Sequence, residues 1–245
     1  MVGGLWSDVR VVAETGSTNA DVLALARAGA PEGVVLSAEV QTAGRGRLGR
    51  EWISRPGEAL TFSALLRPAP VPQANWGWVP LLAGVAVVSA IRSVAAVSAA
   101  LKWPNDVLAG DGKLGGILAE RAGDAIVVGI GLNVGAGPLV PTATSLEAQG
   151  AAATDRSALL AAILASLGDW YGRWRESTGD AQSCGLHAEY LARCVTIGRV
   201  VRVDLPGGAS VDGTATGVDS AGRLLVTSAF GGLTAVSAGD VVHVR

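Results

Sequence analysis

The 245-residue chain is short of cysteine, histidine, lysine and charge, and each shortage closes a class of function. Two cysteines, Cys184 and Cys194, cannot form a disulfide framework. With only His187 and His243 beside them, all toward one end, a Cys/His metal cluster is excluded as well. Neither histidine sits where a catalytic base is expected, and there is no Gly-x-Ser-x-Gly turn, so a hydrolase triad finds no support. Charged residues make up 16% of the chain, well below the usual ~25%, while 49% hydrophobic residues leave ample material for a core. That balance excludes disorder. A net charge of −2 supplies no global field for nucleic acid or an anionic membrane. Mean hydropathy is +0.40, yet the uncharged stretch Pro68–Ile91 is broken by Pro68, Pro70, Pro72, Gln73, Asn75 and Pro80. Its continuous apolar part, Trp78–Val88, is shorter than the ~20 residues of a bilayer span. Met1–Arg10 carries Asp8 and no apolar h-region, so no signal peptide is expected. The expectation is a soluble, cytoplasmic protein with neither DNA nor membrane as partner.

What is present is more pointed. Seventeen of the 19 basic residues are arginine, and the only lysines, Lys102 and Lys113, fall within one 12-residue window. A residue type avoided elsewhere and used twice there suggests a need for a compact ammonium rather than a planar guanidinium.

Periodicity predicts a strand over Arg10–Thr15, then a helix to Ala28 capped by Ser17/Thr18 with Asp21 in its first turn. Strands follow at Val34–Val40 and Leu60–Leu66, with a buried helix over Trp78–Val97. Val107–Ala109 and Leu114–Arg121 read as a hairpin, and Ala125–Val134 as a central strand apolar on both faces. Gly135–Thr144 reads as a loop, Ser157–Trp174 as an amphipathic helix, and Leu186–Arg193 as a shorter helix. From Val195 the pattern changes to period two, with turns at Pro206-Gly207-Gly208, Ser220-Ala221-Gly222 and Gly231-Gly232, which predicts four or five short strands in a small barrel. The division expected is therefore a mixed α/β domain over 1–194 and a small all-β domain over 195–245. The second is expected to be removable without unfolding the first.

Four stretches carry chemistry. Gly44-Arg45-Gly46-Arg47-Leu48-Gly49-Arg50 matches Gly-x-Gly-x-x-Gly as a string, but no amphipathic helix follows and no acidic residue stands ~20 residues on, so a dinucleotide fingerprint is rejected. Three arginines on a glycine loop suit carboxylate and phosphate instead. In Lys102-Trp103-Pro104-Asn105-Asp106 and Gly112-Lys113-Leu114-Gly115-Gly116-Ile117-Leu118, an ammonium is set among apolar neighbours, which is costly unless it meets an anion. Gly131-Leu132-Asn133-Val134 places one amide in an apolar run; satisfying local backbone is the ordinary use of such an asparagine.

Together with Ser17-Thr18-Asn19, Gln41, Gly129–Val134 and Ala143–Leu146, these stretches stand in the order and spacing of biotin protein ligases, which the chain resembles over essentially its whole length. Gly115 departs from the alanine of many relatives, loosening one side chain. The chain has about ten residues before its first strand, where bifunctional relatives carry a winged helix, so it is similar to the monofunctional class. The resemblance implies an α+β fold: a class II aminoacyl-tRNA synthetase-like mixed sheet with helices on one side, plus an SH3-like C-terminal barrel. It implies ATP-dependent activation of biotin to biotinyl-5′-AMP, then transfer to a lysine of the biotin carboxyl carrier domain of an acyl-CoA carboxylase. Lys113 and Arg47 would be catalytic. Biotin would be held by Ser17, Thr18, Asn19, Gln41, Arg45, Gly46, Arg47, Lys113 and Gly116. The nucleotide would be held by Arg45, Arg47, Arg50, Trp52, Lys102, Asn105 and Asn133. Mg2+ would accompany ATP, with Asp106 a candidate ligand, and the protein would be a monomer or weak homodimer. A lipoate or octanoate transferase of the same fold, and a non-catalytic biotin sensor or repressor, are the alternatives.

Overall fold

A computed structural model describes residues 4–53, 55–135, 140–152 and 154–244. Part of the expected 135–144 loop, residues 136–139, lies outside the described residues, as do residues 1–3 and 245 of the terminal stretches.

Seven strands form the first sheet: β1 (Asp8–Thr15), β2 (Val34–Gln41), β3 (Ala59–Leu66), β4 (Ala100–Lys102), β5 (Asp106–Ala109), β6 (Gly112–Ala122) and β7 (Ala125–Asn133). Their order is β1-β2-β3-β7-β6-β5-β4, with β1 and β2 parallel and every other pair antiparallel. The helices are α1 (Thr18–Arg27), α2 (Trp78–Ala95), α3 (Arg156–Glu176) and α4 (Leu186–Arg193). Ser17 caps α1 by accepting from the Ala20 N–H, and Asp155 caps α3 by accepting from Ser157 and Ala158, which satisfies donors a helix start otherwise leaves unpaired.

Alternation along the strands divides the sheet into two unlike faces. Leu60, Phe62, Ala64 and Leu66 of β3 and Ile126, Val128, Ile130 and Leu132 of β7 point one way and join a core built with α2 and α3. The opposite face meets α1, where Leu65 and Val127 pack against Val22, Leu23 and Ala26. Helices thus cover both faces, not the single side that the resemblance implied. The reason lies in α1, whose ten residues carry their own apolar stripe and need a sheet surface to bury it. β7 is central as expected, but it is not apolar on both faces: beyond Val127 its α1-side positions are Gly129, Gly131 and Asn133.

α2 is long and apolar enough to cross a membrane by length and composition, yet 67% of that stretch is buried inside the protein, where it is the central core helix. Gly115 is no source of looseness, because a Cβ there would lie 2.4 Å from Leu132 Cδ2; the larger neighbour already fills the space.

β8 (Val200–Asp204), β9 (Ser210–Val218), β10 (Leu224–Thr227), β11 (Leu233–Val236) and β12 (Asp240–His243) form an SH3-like antiparallel unit in the order β11-β10-β9-β8-β12. The three expected turns fall between its strands. The interior of this unit is continuous with the first core, which argues against its being separable. Val201, Val203, Leu224 and Val226 belong to the same buried cluster as Trp78 and Trp103. The Trp78 indole donates to Ser220 O (3.0 Å), the Trp103 indole to Gly222 O (3.2 Å), and the Trp103 N–H to Thr196 Oγ1 (3.1 Å). Removing the C-terminal strands would expose two tryptophans and strand their donors.

Candidate active site

The α1 helix covers only part of its sheet face, and the uncovered part is the floor of a cleft of about 330 Å3. Strand register builds that floor in two transverse rows. Lys102 pairs with Asp106, Asp106 with Gly116, Gly116 with Gly131, and Gly131 with Thr61. Beside this row, Leu118 pairs with Gly129 and Gly129 with Ser63. Residues opposite one another in register share a face, so one line across five strands carries cation, carboxylate, two bare glycines and a hydroxyl.

The glycines are spacers. A Cβ at Gly131 would come 2.5 Å from Trp52 Cε2, and one at Gly129 would come 2.2 Å from Asn19 Oδ1. Their absence lets the Trp52 ring and the Asn19 amide lie directly on the sheet. Lys113 reaches the same face through a bulge. Val107 pairs with Gly115 but Leu108 with Lys113, leaving Leu114 as an extra residue that reverses the alternation. Without it, Lys113 would point into the core. Its Nζ instead sits 2.6 Å from Asp106 Oδ1, over Gly116.

At one end of the cleft, polar side chains interlock. The Thr18 N–H donates to Gln41 Oε1 (2.8 Å), the Thr18 hydroxyl lies 2.8 Å from Ser63 Oγ, Ser63 donates to Asn19 Oδ1 (2.6 Å), and Asn19 donates to Glu120 Oε2 (2.8 Å). At the other end, Arg45, Arg47, Arg50, Lys102 and Lys113 face Glu51, Asp106 and Asp240. Five cations against three carboxylates give a positive cleft in an acidic chain, which concentrates anions there. Arg47 is partly buried and donates to Asn105 Oδ1 (2.7 Å), while Arg50 pairs with Asp240. Burial pushes the Arg47 pKa down, Asp240 and Asp106 pull it back up, and Arg50 adds to the downward push. Its guanidinium keeps its charge regardless. Two buried polar atoms bordering the cleft, Trp52 Nε1 and Thr61 Oγ1, have no hydrogen-bond partner among the described residues, a cost that a ligand acceptor removes.

Ser17, Thr18, Asn19, Gln41, Arg45, Gly46, Arg47, Arg50, Trp52, Lys102, Asn105, Asp106, Lys113 and Gly116 all line this one cleft. Asn133 does not. Its amide donates to Thr144 O (2.9 Å) at the end of β7, the ordinary local use of a half-buried asparagine. Asp106 is engaged by Lys113, and among the described residues no three His, Cys, Asp or Glu side chains gather to hold an ion; the carboxylates do not fit a resident magnesium. Sequence reasoning missed Thr61 and all of Asp240–Val242 of β12, which forms one wall, and gave no site role to Gly129 and Gly131, although both stand in a quoted motif. The register rows would have found Thr61 and the glycines once β3 was aligned with β7. Nothing local marks Asp240.

A model of the biotin/lipoate A/B protein ligase family matches residues 13–136, and a model of the biotin protein ligase C-terminal domain matches residues 196–244. The chain is 48% identical to the biotin–[acetyl-CoA-carboxylase] ligase of Mycobacterium tuberculosis, over 99% of this chain and 91% of that one. It is 32% identical to the ligase of the same name from Paracoccus denitrificans, over 90% and 95%. Among solved structures, the biotin protein ligase from Aquifex aeolicus in complex with biotin and ATP superposes with a TM-score of 0.80 at 28% identity, covering 98% of this chain and 99% of that one.

Proposed function

The chain belongs to the biotin/lipoate A/B protein ligase family, and from that premise we propose how its cleft divides the work of a biotin protein ligase. The enzyme activates biotin with ATP to biotinyl-5′-AMP and pyrophosphate, then passes the biotinyl group to a protein lysine, releasing AMP.

One observation carries the division of labour: a ureido-matching set of donors and acceptors and a cation cluster stand at opposite ends of one cleft, joined by a glycine floor. Thr18, Gln41 and Ser17 take the ring. The valeryl chain runs over Gly116, where a side chain would obstruct it, and delivers its carboxylate to Lys113 and Arg47. Bringing a carboxylate against a triphosphate requires the repulsion to be neutralised before contact, and fixed cations do so without the reorganisation that water needs. The Lys113 ammonium, oriented by Asp106, sits where charge develops on the α-phosphate. Arg45, Arg50 and Lys102 serve the remaining phosphates, and Trp52 offers a face to the adenylate. Closure of the arginine loop against β12 keeps water from a mixed anhydride that hydrolyses readily.

The acceptor we assign is the biotin carboxyl carrier domain of an acyl-CoA carboxylase, with the reaction in the cytoplasm. Incubation of an apo carrier domain with the enzyme, biotin and ATP tests the assignment by mass spectrometry. One biotinyl group should be added, and only when ATP is present. Lipoyl transfer in a competition with lipoate, with no biotinyl transfer, overturns the reading in favour of the lipoate alternative.

A further inference from the structure

Glu120 lies outside the cleft lining, yet its carboxylate ends the hydrogen-bond chain that reaches the ring-binding end. We propose that Glu120 is a positioning residue that sets the direction of this chain and so makes Thr18 an acceptor, selecting a ligand that offers an N–H. The inference rests on the biotin reading and adds to it the residue that enforces ring specificity.

The chemistry of each partner fixes the direction. The Asn19 amide group nearest Glu120 also approaches Leu118 O (3.3 Å). Both neighbours only accept, so the amide nitrogen must be on that side, and Asn19 Oδ1 must face Ser63. Ser63 has one proton, and at 2.6 Å it is committed to Asn19 Oδ1. The 2.8 Å contact between Ser63 Oγ and Thr18 Oγ1 is then a hydrogen bond only if Thr18 donates. The Thr18 hydroxyl is also within donating range of Gln41 Oε1 (3.0 Å), a carbonyl oxygen able to accept it alongside the Thr18 N–H, but it has one proton and the contact to Ser63 is the shorter. Ser63 is fully buried, so its need for the Thr18 proton is the greater. The result is two acceptors, Thr18 Oγ1 and Gln41 Oε1, side by side at the cleft wall. A ureido N–H satisfies them; a methylene or sulfur does not.

Glu120→Lys reverses the logic. A donor at position 120 turns the Asn19 amide, Ser63 then receives from Asn19 and gives its proton to Thr18, and the Thr18 proton passes to Gln41. Biotin affinity, read by calorimetry on the intact protein, should weaken about tenfold, as for one lost hydrogen bond. Glu120→Gln keeps an acceptor and should stay within about twofold of the parent. Ser63→Ala breaks the chain without a charge change and should reproduce the Glu120→Lys loss. ATP affinity should not follow these changes, and in Glu120→Lys neither should Tm, whereas Ser63→Ala lowers Tm because it removes a buried hydroxyl that bonds on both sides. An unaltered biotin affinity in Glu120→Lys, or a loss there of ATP affinity and Tm in proportion to that of biotin, overturns the proposal. Failure of the parent protein to bind biotin overturns the ligase reading itself, so the two failures are distinguishable.

Discussion

The two faces of the seven-stranded sheet are written in the same strands, one residue apart, and they obey opposite rules. On the α2 face, β7 presents Ile126, Val128, Ile130 and Leu132, each at most 2% exposed, and every added or removed methylene is felt. On the α1 face the same strand presents Gly129 and Gly131, where the side chain is absent so that Asn19, Trp52 and a ligand can approach the backbone. Stability and function are therefore encoded in alternating positions, and neighbouring substitutions should fail in different ways.

The sharpest test pairs adjacent residues. Gly131→Val should abolish measurable biotin-dependent pyrophosphate exchange, because its side chain displaces Trp52 from the cleft floor, and misplacement on an ångström scale already costs on the order of 10²-fold. Melting should change little, since Trp52 is on a partly exposed loop. Leu132→Ala should do the reverse: a loss of about 2–5 kcal/mol of stability with biotin affinity near that of the parent. Equal damage to both properties in both variants would erase the distinction between the faces.

Lys113→Arg is next in size. The bulge at Leu114 delivers an ammonium onto Gly116, 2.6 Å from Asp106, and an arginine brings the same charge with more bulk and a fixed plane. Adenylate formation should fall by ~10²–10³, as for a missing electrostatic donor at a reacting centre, with folding unchanged. Exchange rates near those of the parent would return Lys113 to the surface of a hairpin.

Arg47→Ala should cost about 2–4 kcal/mol of adenylate affinity, seen as premature release of the intermediate. Arg47 bridges the two sheets, donating to Asn105 and approaching Gly239 O at 3.5 Å, and a point charge cannot span both. Arg47→Lys should accordingly fail to restore the lifetime of the bound adenylate.

These contrasts also mark what was legible in the sequence. The strand and helix spans follow from period and caps, which are local properties, whereas the shared cleft of Ser17–Asn19, Gln41, the arginine loop and both lysines was implied by the family resemblance. Register is not local. That Thr61 faces Gly131, that Leu114 is a bulge, and that Glu120 reaches Asn19 depend on how β3, β5, β6 and β7 align, and no single strand carries that information. Asn133 read as a nucleotide ligand because a motif contains it, whereas in the structure the end of β7 needs its amide for Thr144. The change of pattern at Val195 marks a change of sheet, while burial of Trp78 and Trp103 joins the cores across it.

The smallest expected effect concerns that junction. His243 ends β12, the strand that walls the cleft through Asp240–Val242, and its Nε2 lies 3.3 Å from Thr196 Oγ1, which in turn receives the Trp103 N–H. Burial lowers the His243 pKa from its ordinary value, and the nearby charges of Lys102 and Arg199 lower it further. The unfolded chain then takes up this proton first on acidification, at the ordinary histidine value of about 6.5. A neutral imidazole therefore contributes stability that is complete above that value and lost as the pH falls toward the folded one. Lys102, which lines the cleft and which we propose serves the phosphates, couples the effect to the cleft, since its charge adds to burial in favouring the neutral imidazole. Melting temperature followed from about pH 7.5 to 5.5 should decline in the parent protein, in a window above the ordinary carboxylates. His243→Asn should flatten that decline while leaving the value at pH 7.5 nearly unchanged. An equal decline in the variant would show that the junction between the two sheets does not sense this proton.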